Sequence, residues 1–550
     1  MGHLGVALLF LTLGQGGAPE DTLQVRREAR DAQEHFERIR RRHLPMLFTA
    51  YARCDVRAGN HCYWYDEAEP PPPPEPPATT AARAELLARL GELAGTRPED
   101  GWIAAQRVRY WAEHGEPDSS LSAARNCRAE GWWCAALSGY AHHAAGRYQA
   151  SEAAFDRALL AMPDEDRCHW NNLEDLLEGD LHGEYKQLSC AARDSANRVI
   201  FWLARPRFRV AGNDVLTAWY ARNTLVRALE GAITHHGSRL SAGHRELILR
   251  YGWETGWSRR QPQPGSHDIS GVVGHEPKPA YAFLPQHPPG DDFAWNLRRK
   301  EPRARFAPAW TSRVVVPRAV TTRFERGDSL LLVVAFETPA DADTLFHGAA
   351  TAVLALSAGP GAEDVTADRA APRGRGGIAA QARGRSLLAS LEISDAVGGA
   401  VALERFLVVT PPASAVRLSE LLLFEPGTEL PADPIEASAT AWSGSPLTAG
   451  GRVGLYWEVY GIAPETDSIL VTVAVDEAGP GFITRIGRVL GLGRHPPPMR
   501  LAWRGQDGAG EAVELDLRLL EPGRYRIRVT AEVAGHPSAH AERLVELVGR

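Results

Sequence analysis

The sequence predicts a multidomain α plus all-β protein: an N-terminal α-helical, repeat-like region followed by two C-terminal β-sandwiches. Three observations predict it. From about residue 81 to 192, apolar residues recur at three- and four-residue spacing, the period of a helix face. From Ser312 onward the period becomes two, β-branched residues take over, and Gly, Pro and Asp punctuate the runs. At 550 residues the chain also exceeds what one hydrophobic core organises, so three or four domains are expected.

Composition narrows the class of function. Apolar residues make up 44%, enough for most of the chain to bury a core. A net charge of −7 over this length gives no general attraction to nucleic acid or anionic membrane. The cations are nearly all arginine, with lysine only at Lys186, Lys278 and Lys300. With abundant Ala, Gly and Pro, that bias fits GC-rich bacterial coding. The arginines alternate with Glu and Asp, so they read as a solvated surface and not as a nucleic-acid footprint.

Residues 1–18 read as a signal peptide. An apolar core from Leu4 to Leu13 precedes small residues, with cleavage expected near Ala18. The run is too short to span a bilayer, and its leading segment carries His3 but no Lys or Arg. Cysteine usage agrees with export. Cys54 and Cys62, Cys127 and Cys134, and Cys168 and Cys190 form three close pairs, and none follows. Spacings of eight and seven in the first two are wrong for zinc knuckles, which leaves disulfides favoured, paired by proximity. An extracytoplasmic location follows, periplasmic or secreted.

Residues 19–80 begin with a charged helix (VRREARDAQEHFERIRRRHLP) that Pro45 stops. The Cys54–Cys62 loop, the aromatic trio Tyr63, Trp64 and Tyr65, and a polyproline spacer at 70–77 come next. Residues 81–200 are the helical region. Within it, AALSGYAHHAAGRYQASEAAFDRALLAMPDED resembles a tetratricopeptide repeat at Gly139, Gly146, Tyr148, Phe155, Ala158 and Pro163, while Ser138 and His142 depart from that pattern. A second, weaker helical pair precedes it.

Residues 201–260 resemble the GWxTD-domain proteins, an exported bacterial family with no established activity. The matching positions are Phe201-Trp202, Pro206, Asn213, Tyr220 and Arg222, then ELILRYG at 246–252, read as a strand. The eponymous motif is missing before that strand, where SRLSAGHRE stands, so the resemblance is to a divergent relative and implies no active site. Residues 261–311 are a Pro- and His-rich connector, too proline-broken for a regular element, with Tyr281, Phe283 and Trp295 as anchors.

Residues 312–428 form the first predicted sandwich, with RLSELLLFEP as its last strand, and 429–550 the second. The turn LEPGRY ahead of the alternating RIRVTAEV resembles immunoglobulin- and fibronectin-like sandwiches, where the Tyr packs beneath the turn. The segment FITRIGRVLGLGRHPPP (482–498) reads as an insertion covering a sheet edge, with membrane contact at most peripheral.

Catalytic signatures fail one by one. The chain has no GxxxxGK, no HExxH and no GxSxG; His275-Glu276 is followed by prolines that forbid the helix a zinc protease needs. Paired acids (Glu165-Asp166, Glu174-Asp175, Asp291-Asp292) read as solvated surface. The best metal candidates are His235, His236, His244, His267, His275 and His287, but no spacing among them matches a template, so no metal and no cofactor are assigned. Trp132 and Trp133, inside CRAEGWWC, and Trp253 and Trp257, inside GWETGW, are weak candidates for ligand binding, with packing preferred for all four. The expected function is an exported, non-catalytic protein-interaction or envelope-scaffold role with an unidentified protein partner and no nucleic acid. The alternative is a metal-dependent or carbohydrate-acting hydrolase, its site between the helical region and the first sandwich.

Overall fold

In the computed structural model the described residues are 19–47, 56–58, 61–64, 74–177, 179–205, 211–260, 271–275, 281–282, 305–306, 313–338, 346, 349–371, 375–395, 400–409, 416–462, 468–478, 498–504 and 508–549. The expected signal peptide, Cys54, His267, His287 and nearly all of the 482–498 insertion lie outside them. The chain divides into two compact units, Met1–Trp170 with Leu216–Pro277 and Asn171–Val215 with Lys278–Arg550. An N-terminal helical region and C-terminal β-sandwiches are both present, as the periodicities require.

The first unit is built on helices. α1 (Pro19–His43) ends just before Pro45, and α2 (Pro77–Thr96) packs on it through Ala29 and Phe36 against Leu86 and Leu90. α3 (Gly101–Glu113) is capped by Asp100, whose carboxylate accepts from the Trp102 and Ile103 amides and pairs with Arg26 at 2.7 Å. α4 (Pro117–Arg125), α5 (Gly131–Ala144) and α6 (Tyr148–Ala161) complete two helical hairpins. In each hairpin a serine hydroxyl donates to a carbonyl twelve residues earlier: Ser120 to Val108 at 2.8 Å and Ser151 to Gly139 at 2.7 Å. The equivalence gives an internal period of 31 residues (139 − 108 and 151 − 120).

α7 (Asp164–Trp170) follows in this unit, while α8 (Gly179–Lys186) and α9 (Cys190–Ala204) fall in the second. The first unit also contains α10 (Asp214–Ala228) from Leu216 onward, α11 (Ala242–Tyr251) and a small sheet. Its strands are β1 (Met46–Leu47), β2 (Val56–Ala58), β3 (His61–Trp64), β4 (Gly256–Arg260) and β5 (Val272–His275), in the order β1-β4-β5-β3-β2. Two expectations are corrected here. ELILRYG is helical, because Ser241 caps the segment by accepting from the His244 amide, and His244, Leu247 and Ile248 bury one face at helical spacing. The apolar run was too short for periodicity alone to separate strand from helix. The connector also carries a regular element: Val272–His275 lies between prolines in the sequence and pairs with both β4 and β3, which joins these strands in one sheet.

The second unit holds both sandwiches. In the first, a sheet of Arg318–Arg326, Ser329–Glu337 and Arg375–Arg383 faces a five-stranded sheet ordered Val365–Ala370, Thr351–Ser357, Ser386–Ser394, Ala400–Val409, Arg313–Val315. Leu330, Leu332, Val334 and Phe336 fill that core from one strand face, while Leu331 and Val333 of the other face meet Leu422, Phe424 and Tyr456. That double burial explains why SLLLVVAFE is apolar at almost every position. The helix Cys190–Ala204 joins this unit, with the Trp202 indole donating to Ser357 Oγ at 2.8 Å.

In the second sandwich, Arg452–Tyr460 pairs with Ala509–Asp516 over a core centred on Trp457. Arg417–Leu418 and Leu422–Phe424 also pair with Arg452–Tyr460, so the strand read as the last of the first sandwich belongs to the second. Tyr525 is buried beneath its turn and donates to the Glu521 carbonyl at 2.9 Å, the tyrosine-corner arrangement expected of LEPGRY.

Candidate metal centre

Three of the six candidate histidines come together with an acid that the sequence did not single out. His235, His236, His244 and Glu254 each offer one ligand atom, and these atoms lie within 4.8 Å of one another. All four are buried, with residual exposures of 0%, 7%, 0% and 3%. Glu254 Oε1 stands 3.8 Å from His235 Nε2 and 3.6 Å from His244 Nε2.

Local sequence explains each placement. Ile233 to Arg239 forms a tight turn closed by the Thr234 amide on the Ser238 carbonyl at 2.8 Å and the Gly237 amide on the Thr234 carbonyl at 2.8 Å. The turn stacks the consecutive rings of His235 and His236, centroids 4.2 Å apart. From α1, Gln33 fixes this turn by accepting from the Ile233 amide at 3.0 Å and donating to its carbonyl at 2.7 Å. His244 sits in the capped first turn of α11. At the other end Gly252, at φ 92°, lets the chain turn back, and Arg222 covers the last carbonyls by donating to Leu249 and Arg250. Glu254 is then pressed on Gly274 of β5, where an added Cβ would fall 2.3 Å from its Cγ.

Trp253 and Trp257 cover the cluster. Trp257 lies 4.7 Å from the His235 ring and Trp253 is stacked on His244 at 5.8 Å. Behind them is a buried ionic lattice from α1 and α3. Glu113 accepts from Arg40 and Arg109, each at 2.7 Å, and Glu37 accepts from the Tyr110 hydroxyl at 2.6 Å. Arg40 lies over the Trp257 ring at 4.8 Å and Arg109 over Trp253 at 5.2 Å. Against a burial cost that would raise it, Arg109, Arg40 and Arg83 hold the Glu113 carboxyl down at about 2. Trp257 also lines a cleft of about 380 Å³ with Arg40, Glu75, Arg83, Glu113 and His114.

The electrostatics keep His235 neutral. Burial, then His236, His244, Arg40 and Arg109, push its pKa well below the ordinary value. Neither His235 ring nitrogen, nor Glu254 Oε2, finds a hydrogen-bond partner among the described residues. His275 stands apart: it bonds Ser258 Oγ at 2.6 Å, and burial lowers it to about 4 although Glu254 opposes the shift.

No family model matches the chain, and no curated protein matches it. Solved structures match only distantly. A biofilm-associated protein BSP domain shares 11% identity over 42% of this chain and 29% of its own, with a TM-score of 0.22. Red sea bream transglutaminase shares 11% over 47% and 37%, at 0.15, and the FN1–FN3 domains of chicken CNTN1 share 8% over 42% and 66%, at 0.14. The chain therefore spans less than two thirds of each, and similarity at this level carries no argument about function.

The remaining sequence candidates are structural in their surroundings. Trp132 and Trp133 open α5, and Cys127 bonds Cys134 beside them. The Trp133 indole donates to the Gly101 carbonyl at 3.0 Å, and the Trp132 indole donates to Glu130 at 2.8 Å with Arg227 over its ring at 4.6 Å. Both rings are more than nine-tenths buried. Cys168 and Cys190 are also disulfide-bonded. Glu254 was the missed residue. Its signal was available, an acid ten positions after His244 and just past a helix-ending glycine, but it required the helix to be recognised as one.

Proposed function

We propose that this is an exported, non-catalytic protein of the cell envelope that works by binding other proteins. The observation that carries the reading is the enclosure of the His235–His236–His244–Glu254 cluster. A hydrolase of the metal-dependent kind needs an open coordination position and a path for substrate. Here four protein side chains converge on one point, none more than 7% exposed, beneath two indoles. Export is supported by the disulfide-bonded Cys127, Cys134, Cys168 and Cys190, since such bonds persist in oxidising compartments. Paired helical hairpins with a 31-residue period and tandem sandwiches supply the extended surfaces that protein recognition uses.

The resemblance to GWxTD-domain proteins remains part of this proposal. Its support is structural: two matching positions touch, with the Asn213 side chain donating to the Phe201 carbonyl at 2.9 Å, and Arg222 closes α11. The test is direct. Purified protein, with and without divalent metals, is assayed on ester, peptide and glycoside substrates, and in parallel cross-linked in intact cells. The reading expects no turnover and a discrete protein adduct. Turnover abolished by His235→Gln, or cross-linking that yields no adduct, would refute it.

A further inference from the structure

We infer that His235, His236, His244 and Glu254 bind one divalent transition-metal ion of zinc's class, in a closed, structural site that locks the 233–254 segment. The donor set, three imidazoles and one carboxylate, suits such ions and not calcium or magnesium, which take oxygen ligands. Its dimensions also fit. Zinc bonds of about 2.0–2.1 Å in a tetrahedron place ligand atoms about 3.3 Å apart. Glu254 Oε1 is already 3.6 Å and 3.8 Å from two imidazole nitrogens, so these pairs need shifts of a few tenths of an ångström, and the widest pair of the four, at most 4.8 Å apart, needs to close by no more than about 1.5 Å.

Charge points the same way. Glu254 is a carboxylate at 3% exposure that faces His235 at 3.8 Å and His244 at 3.6 Å. A buried carboxylate without a cation is costly. A divalent ion supplies that cation. It also gives a role to the two ring nitrogens of His235, fully buried yet without a hydrogen bond among the described residues. Four protein ligands and near-complete burial define a structural site, in which binding free energy becomes folding free energy. The ion would tie the 233–239 turn, the start of α11 and the strand after Gly252 into one rigid piece. The inference does not depend on the proposed interaction role, because turnover would sink that role and leave the site standing.

The test uses the full exported chain, disulfides formed, purified without a histidine tag and stripped by a chelator that is then removed. Cobalt(II) is titrated in and followed by its visible d–d absorption. The expected result is saturation at one equivalent with four-coordinate bands, displaced by one equivalent of zinc. The folded variants His235→Gln and Glu254→Gln should each lose affinity by more than about 100-fold, since even outer-shell changes cost 10–100-fold. His275→Gln, outside the cluster, should titrate like the parent. Independently of whether a variant folds, the cobalt form of the parent should show paramagnetically shifted ring protons from three imidazoles. Absence of a one-equivalent endpoint in the folded parent, shifted signals from fewer than three imidazoles, or an unchanged titration in folded His235→Gln would overturn the inference.

Discussion

His244 Nε2 lies 3.6 Å from Glu254 Oε1, although the two residues stand at opposite ends of α11. The seven helical steps from His244 to Tyr251 advance about 10 Å, so only a reversal just beyond the helix brings Glu254 back. Gly252 supplies that reversal at φ 92° and ψ −172°, a backbone region closed to other residues. The cluster thus depends on one backbone angle.

Gly252→Ala is therefore expected to destabilise the protein by about 1–3 kcal/mol, read from denaturant midpoints at constant slope. It should also weaken metal binding, because Glu254 moves with the turn. A variant as stable as the parent would show that the angle is not required.

Acid should weaken the first unit in a defined window. His143 is held at about 3 by burial and by Arg222, and His275 at about 4 by burial against the opposing Glu254, so both are neutral when folded at neutral pH. Their unfolded forms take up protons below about 6.5, so the unfolded state binds more protons there and stability falls as pH falls. Unfolding midpoints should be flat above pH ~7 and decline from about 6.5 toward 4. A flat profile across that window would contradict the neutral assignment.

How much of this was legible beforehand divides by element. The α-to-β change, the end of α1 at Pro45, the tyrosine corner at Tyr525 and the burial of Trp132 and Trp133 followed from period, turn chemistry and side-chain size. Residues 246–252 did not, since seven apolar-rich positions satisfy both periods and only the Ser241 cap decides. The small sheet was hidden because its strands come from residues more than 190 positions apart, Met46 and Arg259 among them. The ionic lattice was hidden for a different reason. Gln33, Glu37 and Arg40 look like a solvated helix surface, yet at spacings of four and three they form the buried face of α1 beside Phe36.

The Cys127–Cys134 bond closes a short loop at the entry to α5. Replacing both cysteines by Ala should cost about 2–3 kcal/mol from regained unfolded-state entropy, taking the sequence separation of 7 in the loop-closure relation. Thermal unfolding of the double variant measures it, and no change in midpoint would argue that the loop is ordered without the bond.

Between the sandwiches, Glu458 accepts from Arg326 at 2.6 and 2.8 Å and from the Tyr460 hydroxyl at 2.6 Å. Glu458 is 2% exposed, but Arg326 retains 30% of its side-chain exposure, so solvent offsets part of the loss. Glu458→Gln should cost about 2 kcal/mol, less than the full penalty for breaking a buried pair. Denaturation of the full chain, followed by the fluorescence of its tryptophans, tests this.

The central claim is that three imidazoles and one carboxylate enclose a single ion. X-ray absorption at the zinc edge of the zinc-loaded protein tests it most directly. The account predicts four nitrogen and oxygen ligands at about 2.0–2.1 Å, with the multiple scattering of three imidazole rings and no sulfur. A six-coordinate shell dominated by water, or scattering from one ring or none, would contradict it.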